Sequence, residues 1–84
     1  MVTLRENVMP VFVTGGAGFL GSEICKKLSN EGISHTIYDR KYPRFKSKYT
    51  NYVQGDIRDL ERLISAIKQH QIVIHLAAEW NDVG

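Results

Sequence analysis

The chain has 84 residues, of which 43% are hydrophobic and 24% charged, and its formal net charge at pH 7 is +2. This length allows one small domain, and so small a charge gives no electrostatic reason to expect nucleic acid or an anionic membrane as a partner. No apolar run approaches the roughly 18 residues of a membrane span, and residues 1–10 lack the order of a signal peptide, so we expect a cytoplasmic protein.

The first predicted elements are a strand and a helix separated by a glycine-rich turn. Residues 11–14 are apolar and mostly β-branched, which is typical of a strand buried on both faces, and residues 1–10 are expected to form a partly disordered segment before it. A helix is predicted from Phe19 to Glu31, with Gly32 as its stop. Its predicted buried stripe repeats every four residues and consists of Leu20, Ile24 and Leu28, widened by Cys25.

The second half of the chain is predicted to hold three strands and one helix. The strands cover residues 34–38, ending at Asp39, then 52–54, and finally 72–76, the most hydrophobic of the four. A basic loop, residues 40–51, separates the first two of these. Asp56 is predicted to cap a helix that runs to about Gln69, with Asp59 three residues later in a capping-box arrangement. The buried stripe of that helix is predicted to be Leu60, Leu63, Ile64 and Ile67.

The alternation of strands and helices predicts an α/β fold with a parallel sheet and right-handed crossovers. We expect a partial Rossmann fold: a four-stranded parallel sheet in the order 3-2-1-4, with the two helices on opposite faces. Residues 1–84 are interpreted as the N-terminal, truncated part of a dinucleotide-binding domain.

Two parts of the sequence point to a dinucleotide site at the carboxyl ends of the strands. The turn containing Gly15, Gly18 and Gly21 follows a strand and opens a helix, which lets backbone N–H groups and the helix N-terminus approach a phosphate. Asp39, at the end of the second strand, is placed to accept hydrogen bonds from the adenosine ribose hydroxyls, which favours NAD over NADP. Arg40 keeps NADP open, because a basic group here either holds a 2′-phosphate or stacks on adenine.

Two later segments are predicted to complete the same site. Asp56 is placed to accept from the adenine amino group while Ile57 contacts the ring; alternatively, Asp56 serves only as a helix cap. Leu76, Ala77 and Ala78 follow the last strand, where small residues allow the cofactor to pass close to the backbone or simply permit close helix–strand packing.

The histidines and the basic loop have less specific interpretations. His35, His70 and His75 lack metal-ligand spacing with each other and with Cys25, so no metal is predicted, and His75 is interpreted as a satisfied histidine in a buried strand. Cys25 is interpreted as a packed structural thiol. The loop carries five basic residues with interleaved aromatic residues, a pattern that single-strand binders use, but with no RNA motif we interpret it as a solvated cover for the adenosine pocket.

The segment Thr14-Gly-Gly-Ala-Gly-Phe-Leu-Gly21 resembles the TGxxGxxG motif of extended short-chain dehydrogenases/reductases, the group that contains NAD-dependent sugar-nucleotide epimerases and dehydratases. Tyr38-Asp39-Arg40, Gly55-Asp56-Ile57 and Val73-Ile-His-Leu-Ala-Ala78 resemble that group's next three signatures, in order. The resemblance implies that the glycine turn, including Phe19 and Leu20, contacts the pyrophosphate, that Asp39 contacts the ribose, and that Asp56 and Ile57 contact the adenine.

The same resemblance implies that catalysis depends on elements beyond these residues. The group uses a Ser or Thr and a Tyr-x-x-x-Lys pair on later elements, and we expect no such pair in this chain. The expected function is therefore the NAD-binding portion of a sugar-nucleotide epimerase/dehydratase, without catalysis by itself and with the sugar nucleotide bound only by the full-length enzyme. The alternatives are a naturally short nucleotide-binding or complex-forming module and, less favoured, an RNA-binding module. A bare edge at residues 72–76 predicts a homo-oligomer.

Overall fold

The computed structural model describes residues 9–77, which form a four-stranded parallel sheet and two helices. The strands are β1 (Met9–Thr14), β2 (His35–Asp39), β3 (Thr50–Gln54) and β4 (His70–His75), and the helices are α1 (Phe19–Asn30) and α2 (Leu60–Ile67). The sheet order is β3-β2-β1-β4, and every neighbouring pair is parallel. The predicted α/β class and the order 3-2-1-4 are confirmed.

The two faces of the sheet carry different sets of side chains. Val11, Val13 and Ile37 form a buried cluster with Cys25, which places α1 on this face. Side chains alternate along a strand, so Phe12 and Tyr38 lie on the opposite face, where their ring centroids are 5.7 Å apart. Val53 pairs in register with Tyr38 and lines a small cavity together with Arg62, Ser65 and Ala66 of α2. The helices therefore cover opposite faces, as expected.

The end of α1 is close to its prediction, but its buried face is rotated. Gly32 has a φ of +70°, and the N–H groups of Gly32 and Ile33 donate to the carbonyls of Ser29 and Leu28 at 3.0 and 2.9 Å. This pattern is a Schellman motif, with glycine at the left-handed position. Leu20 is 59% exposed, whereas Gly21 and Cys25 are buried. The predicted stripe was therefore wrong at Leu20, because α1 approaches the turn through a glycine.

Strand boundaries differ from the predictions by two residues in three places. β1 begins at Met9, so Pro10 belongs to the strand; pairing with β2 starts only at Val11, which leaves Pro10 outside that ladder. β3 begins at Thr50 instead of Tyr52, since Thr50 pairs in register with His35. β4 spans His70–His75 instead of residues 72–76.

The second helix starts later than predicted and has a different cap. Asp59, rather than Asp56, is the N-cap, and its carboxylate accepts from the N–H of Arg62 at 3.2 Å. The helix ends at Ile67, because Gln69 takes a φ of +74° before β4. Leu60 and Ile64 of the predicted buried stripe are 63% and 51% exposed.

The edge strand β4 is also more exposed than its hydrophobic sequence suggests. Ile72 and Val73 are 53% and 47% exposed, and His75 is exposed as well. The prediction that His75 lies in a buried strand was therefore wrong, because within residues 9–77 only β1 pairs with β4. Among these residues, no helix has the length and apolar character needed to cross a bilayer.

Two histidines form matching connections on the two faces. The Nδ1 of His35 bonds the carbonyl of Ile33 at 3.0 Å, and its Nε2 bonds the hydroxyl of Thr50 at 2.8 Å. The Nδ1 of His70 bonds the carbonyl of Ile67 at 3.1 Å, and its Nε2 bonds the hydroxyl of Thr36 at 2.8 Å. Because a carbonyl can only accept, each Nδ1 carries a proton, and each ring ties the chain before its strand to a neighbouring strand.

Candidate functional site

A cleft of about 700 Å³ opens at the carboxyl edge of the sheet. Its lining comes from the glycine turn, the ends of β2 and β3, the basic loop and the segment after β4. The lining residues are Gly15, Ala17, Gly18, Tyr38, Asp39, Arg40, Lys41, Tyr42, Arg44, Gly55, Asp56, Ile57, Arg58 and Ala77. This position outside the carboxyl ends of parallel strands is where open α/β sheets bind ligands.

The glycine turn brings the backbones after β1 and β4 into close contact. Gly15 has a φ of +77°, which L side chains rarely adopt, and its N–H donates to the carbonyl of Tyr38 at 3.0 Å. A Cβ at Gly15 would lie 2.7 Å from the backbone nitrogen of Ala77. Glycine is therefore required here both by conformation and by space.

Gly18 and Gly21 have different local surroundings within the same motif. A Cβ at Gly18 would meet only the carbonyl oxygen of Gly15, at an ordinary 3.6 Å, and the residue is exposed at the cleft. A Cβ at Gly21 would lie 2.5 Å from the Cα of Gly16. The protein therefore needs Gly21 to pack α1 on the turn, whereas no protein contact explains the glycine at Gly18.

The N-terminus of α1 is available to an anion. Gly18 is the N-cap residue and makes no side-chain cap hydrogen bond, and the first turn contains no acidic residue. The first backbone N–H groups of a helix have no partner inside the helix and carry its positive partial charge. Phe19 is 71% exposed at this end, beside the exposed Leu20.

Asp39 is held in place by two backbone donors from different segments. Its Oδ2 accepts from the N–H of Ala17 at 3.0 Å, and its Oδ1 accepts from the N–H of Lys41 at 2.9 Å. A carboxylate has about four acceptor positions, so each oxygen keeps capacity for one further donor. The side chain is therefore fixed between the glycine turn and the basic loop, with acceptors left for a ligand.

The carboxylate of Asp56 is held by hydrogen bonds from Arg58, two residues later. Its Oδ1 accepts from the backbone N–H of Arg58 at 2.9 Å, and its Oδ2 accepts from the Nη2 of that side chain at 2.7 Å. The Nε of Arg58 lies 3.1 and 3.2 Å from the two oxygens. Arg40 lies 3.9 Å away on the other side. These hydrogen bonds from Arg58, with the nearby positive charges, hold the pKa of Asp56 well below its usual range.

Two tyrosines, the buried Tyr38 and the half-buried Tyr52, fix the backbone beneath these carboxylates. The hydroxyl of Tyr38 donates to the carbonyl of Asp56 at 3.0 Å, and the hydroxyl of Tyr52 donates to the carbonyl of Asp39 at 3.2 Å. Burial raises the pKa of both tyrosines, so both hydroxyls remain protonated donors at neutral pH. The strand ends are therefore rigid where the cleft begins.

Thr14 joins the end of β4 to the end of β1. Its Oγ1 accepts from the N–H groups of Leu76 and Ala77 at 3.1 and 3.3 Å and bonds the Nδ1 of His75 at 2.6 Å. Leu76 is half-buried and packs against the core cluster, whereas Ala77 lines the cleft. Ala78, also predicted to belong to the site, lies outside the described residues.

The structure thus gathers most of the predicted site residues in one cleft, with some in supporting positions. Seven line it: Gly15, Gly18, Asp39, Arg40, Asp56, Ile57 and Ala77. Four others are not among its lining residues: Phe19, Leu20, Gly21 and Leu76. Within residues 9–77, no cluster of three His, Cys, Asp or Glu side chains is arranged to hold a metal ion.

Sequence reasoning missed Ala17 and Arg58, which orient the two acids. Ala17 acts through its backbone, which a sequence does not reveal. Arg58 lies two residues after Asp56, an acid predicted at a strand end, and this spacing is the sequence signal that could have indicated the ion pair. The basic loop contributes Arg40, Lys41 and Arg44 to the cleft.

The expectation that this chain holds no Tyr-x-x-x-Lys spacing was wrong. Tyr42 and Lys46 have that spacing, but both lie in the basic loop rather than on a helix. The Nζ of Lys46 lies 5.6 Å from the centroid of the Tyr42 ring, over its face. Tyr42 lies three residues after Asp39 and packs edge-on against Tyr52, with ring centroids 5.3 Å apart.

The parallel order 3-2-1-4, the glycine turn before α1 and the acid ending β2 define a dinucleotide-binding α/β fold. The family model for the NAD dependent epimerase/dehydratase family matches residues 11–84. The chain belongs to that family.

Curated relatives match this chain with a small part of their own length. The 2-alkyl-3-oxoalkanoate reductase of Shewanella oneidensis is 36% identical over 83 residues, covering 94% of this chain and 21% of the relative. The UDP-glucose 4-epimerase of Rhizobium leguminosarum bv. trifolii is 34% identical over 76 residues, covering 81% and 22%. The chain therefore spans about a fifth of the length of these relatives.

Solved structures show the same likeness. The UDP-glucose 4-epimerase from Brucella ovis in complex with NAD has a TM-score of 0.71 and 36% identity, covering 83% of this chain and 23% of that chain. WbmG from Bordetella bronchiseptica in complex with NAD has a TM-score of 0.75 and 25% identity, covering 96% and 28%. Both similar structures contain NAD.

Proposed function

We propose that this chain binds the adenosine diphosphate half of NAD in the cleft at the carboxyl edge of the sheet. The pyrophosphate lies against Gly15 and Gly18 at the uncapped start of α1, beside Phe19, Leu20 and Ala77. The ribose hydroxyls donate to Asp39, while the adenine lies near Asp56, Ile57 and Arg40. The observation that carries this proposal is the carboxylate of Asp39, which two backbone N–H groups hold at 3.0 and 2.9 Å while each oxygen keeps an acceptor position.

The comparisons support the cofactor half as the function of this region. The relatives carry different names, a 2-alkyl-3-oxoalkanoate reductase and a UDP-glucose 4-epimerase, yet they share this region with the chain. A region common to proteins that act on different substrates fits a shared cofactor better than a shared substrate.

The structure also favours NAD over NADP as the ligand. Asp39 is tied to Ala17 and Lys41, so it cannot swing away from a 2′-phosphate without breaking both hydrogen bonds. The repulsion between this carboxylate and the phosphate outweighs the attraction of the exposed Arg40, because exposed charges are well screened by water.

We assign no catalytic step to the residues of this chain acting alone. Tyr42 lines the cleft, and Lys46 lies over the face of its ring, with Nζ 5.6 Å from the ring centroid. In this proposal, the chain supplies the cofactor portion of an NAD-dependent sugar-nucleotide epimerase/dehydratase. A non-catalytic nucleotide-binding or complex-forming module is the alternative, because the cleft contains a binding site without a reacting group.

A titration with ADP, NAD and NADP tests the binding proposal. We expect NAD and ADP to bind with dissociation constants of about 10 µM to 1 mM and NADP to bind about tenfold more weakly. Asp39→Ala should weaken NAD about tenfold and narrow the difference between NAD and NADP. Glu61→Ala, which also removes one negative charge, is the charge-matched control outside the cleft. Failure of ADP and NAD to bind, or unchanged affinity in Asp39→Ala, would contradict the proposal.

A further inference from the structure

Arg58 is bound to Asp56 more extensively than a simple surface ion pair requires. Three of its N–H groups reach the carboxylate: the backbone N–H at 2.9 Å, Nε shared between the two oxygens, and Nη2 at 2.7 Å. A side-on fork of this kind fixes the plane of a carboxylate as well as its charge. Three donors leave the carboxylate with about one further acceptor position, and Nη1 of Arg40 lies 3.9 Å from Oδ2.

Asp56 is fixed through its main chain as well. Its carbonyl accepts from the buried hydroxyl of Tyr38 at 3.0 Å, so both the backbone and the side chain of Asp56 are held in place. Helix capping does not explain why Asp56 is held by so many hydrogen bonds, because Asp59 is the N-cap of α2. Asp56, Arg58 and Tyr38 all line the cleft. The carboxylate of Asp56 is fixed in place, faces a ligand cleft and can accept few further hydrogen bonds. It is therefore suited to recognising a single donor group on a ligand.

We propose that Arg58 is a positioning residue that orients Asp56 to select adenine over 6-oxopurines. The inference rests on the proposed nucleotide function of the cleft. Adenine carries an amino donor at position 6, whereas hypoxanthine and guanine carry an acceptor oxygen there. A carboxylate that is held ionised accepts from the amino group and repels the oxygen. Arg58 acts through Asp56 and need not touch the base.

The competing explanation is that Arg58 merely adds positive charge to the rim of the cleft. The two explanations differ in what Arg58→Lys does. Lysine keeps the charge but has no planar fork, so it cannot make the paired contacts of Nε and Nη2. A charge-only role predicts that Arg58→Lys behaves like the wild-type protein, whereas a positioning role predicts that it loses base selection.

The test compares the affinities of ADP and IDP, which differ only at the base. We expect the wild-type protein to bind ADP about tenfold more tightly than IDP. Arg58→Met and Arg58→Lys should both reduce this ratio below about threefold. Arg58→Lys should keep the affinity for IDP within about twofold of wild type, because the phosphates still meet the same charge. Asp56→Asn should remove the preference as well.

Lys68→Met is the control for loss of one positive charge, and it should keep the tenfold ratio. An unchanged ADP to IDP ratio in both Arg58 variants would overturn this inference while leaving nucleotide binding intact. Absence of ADP binding to the wild-type protein would instead overturn the proposed function. A native circular dichroism spectrum for each variant excludes loss of the fold as the cause.

Discussion

Single residues in this protein divide into those that the fold requires and those that the proposed ligand requires. The glycine motif shows the division most clearly, because Gly15 and Gly21 are each surrounded by backbone atoms while Gly18 is open to the cleft. The same sequence pattern therefore serves two purposes, and local space tells them apart.

Substitutions at Gly18 and Gly21 should separate these purposes. Gly18→Val should abolish NAD binding while changing the free energy of unfolding by less than about 0.5 kcal/mol, because its φ of −79° suits valine and its Cβ meets no close atom. Gly21→Ala should lower that free energy by about 1–3 kcal/mol by forcing α1 off the turn. Thermal unfolding and NAD titration of both variants check this. Unchanged ADP affinity in Gly18→Val would refute the placement of the pyrophosphate.

Cys25 provides a pH-dependent prediction at the residue scale. The thiol is fully buried, and burial raises its pKa from 9.0 to about 11. The folded state keeps the proton at a pH where the unfolded chain has lost it, so the thiol lowers the stability of the fold as pH rises from about 9 to about 11. Denaturant unfolding across this window should show a steeper decline for the wild-type protein than for Cys25→Ala. Equal slopes would show that Cys25 is accessible to solvent.

At the scale of elements, the two helices depend on different kinds of interaction. α1 packs Cys25 and Leu28 against the core and ends in a Schellman motif. α2 has no fully buried residue, and its first turn depends on a side-chain cap. A helix of eight residues is marginal by itself, so α2 is more sensitive than α1 to the loss of a single polar contact.

The N-cap of α2 gives a direct test. Asp59→Ala should lower the free energy of unfolding by about 1 kcal/mol because the N–H of Arg62 loses its acceptor. For a domain of this size, such a loss corresponds to a fall in Tm of about 4–8 °C. Ser65→Ala, an exposed change on the same helix, should leave Tm close to wild type. A Tm for Asp59→Ala equal to that of the wild-type protein would contradict the capping role of Asp59.

At the scale of the whole molecule, β4 leaves one edge of the sheet without a partner strand within residues 9–77. β1 lies between two partners, whereas β4 offers an open edge within residues 9–77, with exposed Ile72 and Val73. Unpaired N–H and C=O groups along an apolar edge favour pairing with another chain.

We therefore propose that this chain forms a dimer or larger oligomer through residues 72–76. Ile72→Lys should shift the protein toward a monomer, since a charged side chain on an edge strand opposes strand pairing. Ser65→Lys, which adds the same side chain on α2, should leave the oligomer intact. Light scattering at high protein concentration measures both. A monodisperse wild-type monomer would contradict the proposal.

The amino-acid sequence by itself determined the class of fold, the strand order and the family. Those properties depend on local signals that a sequence displays directly: alternation of strand and helix patterns, glycines after a strand, and an acid at the end of β2. Asp39, Gly15 and Gly18 were identified for this reason, since each is recognisable from its place relative to its own element.

Only the tertiary structure decided which acid caps α2, which face of α1 is buried and how the two acids of the cleft are held. Asp56 and Asp59 are equally good caps by residue type. In the fold, the carboxylate of Asp56 is bound by Arg58, whereas that of Asp59 accepts from the N–H of Arg62 and caps the helix. Leu20 is exposed because Gly21 lets α1 lie against the turn. Ala17 orients Asp39 from 22 residues away through a backbone N–H. Such contacts depend on the distance between segments far apart in the chain, which residue type and spacing do not specify.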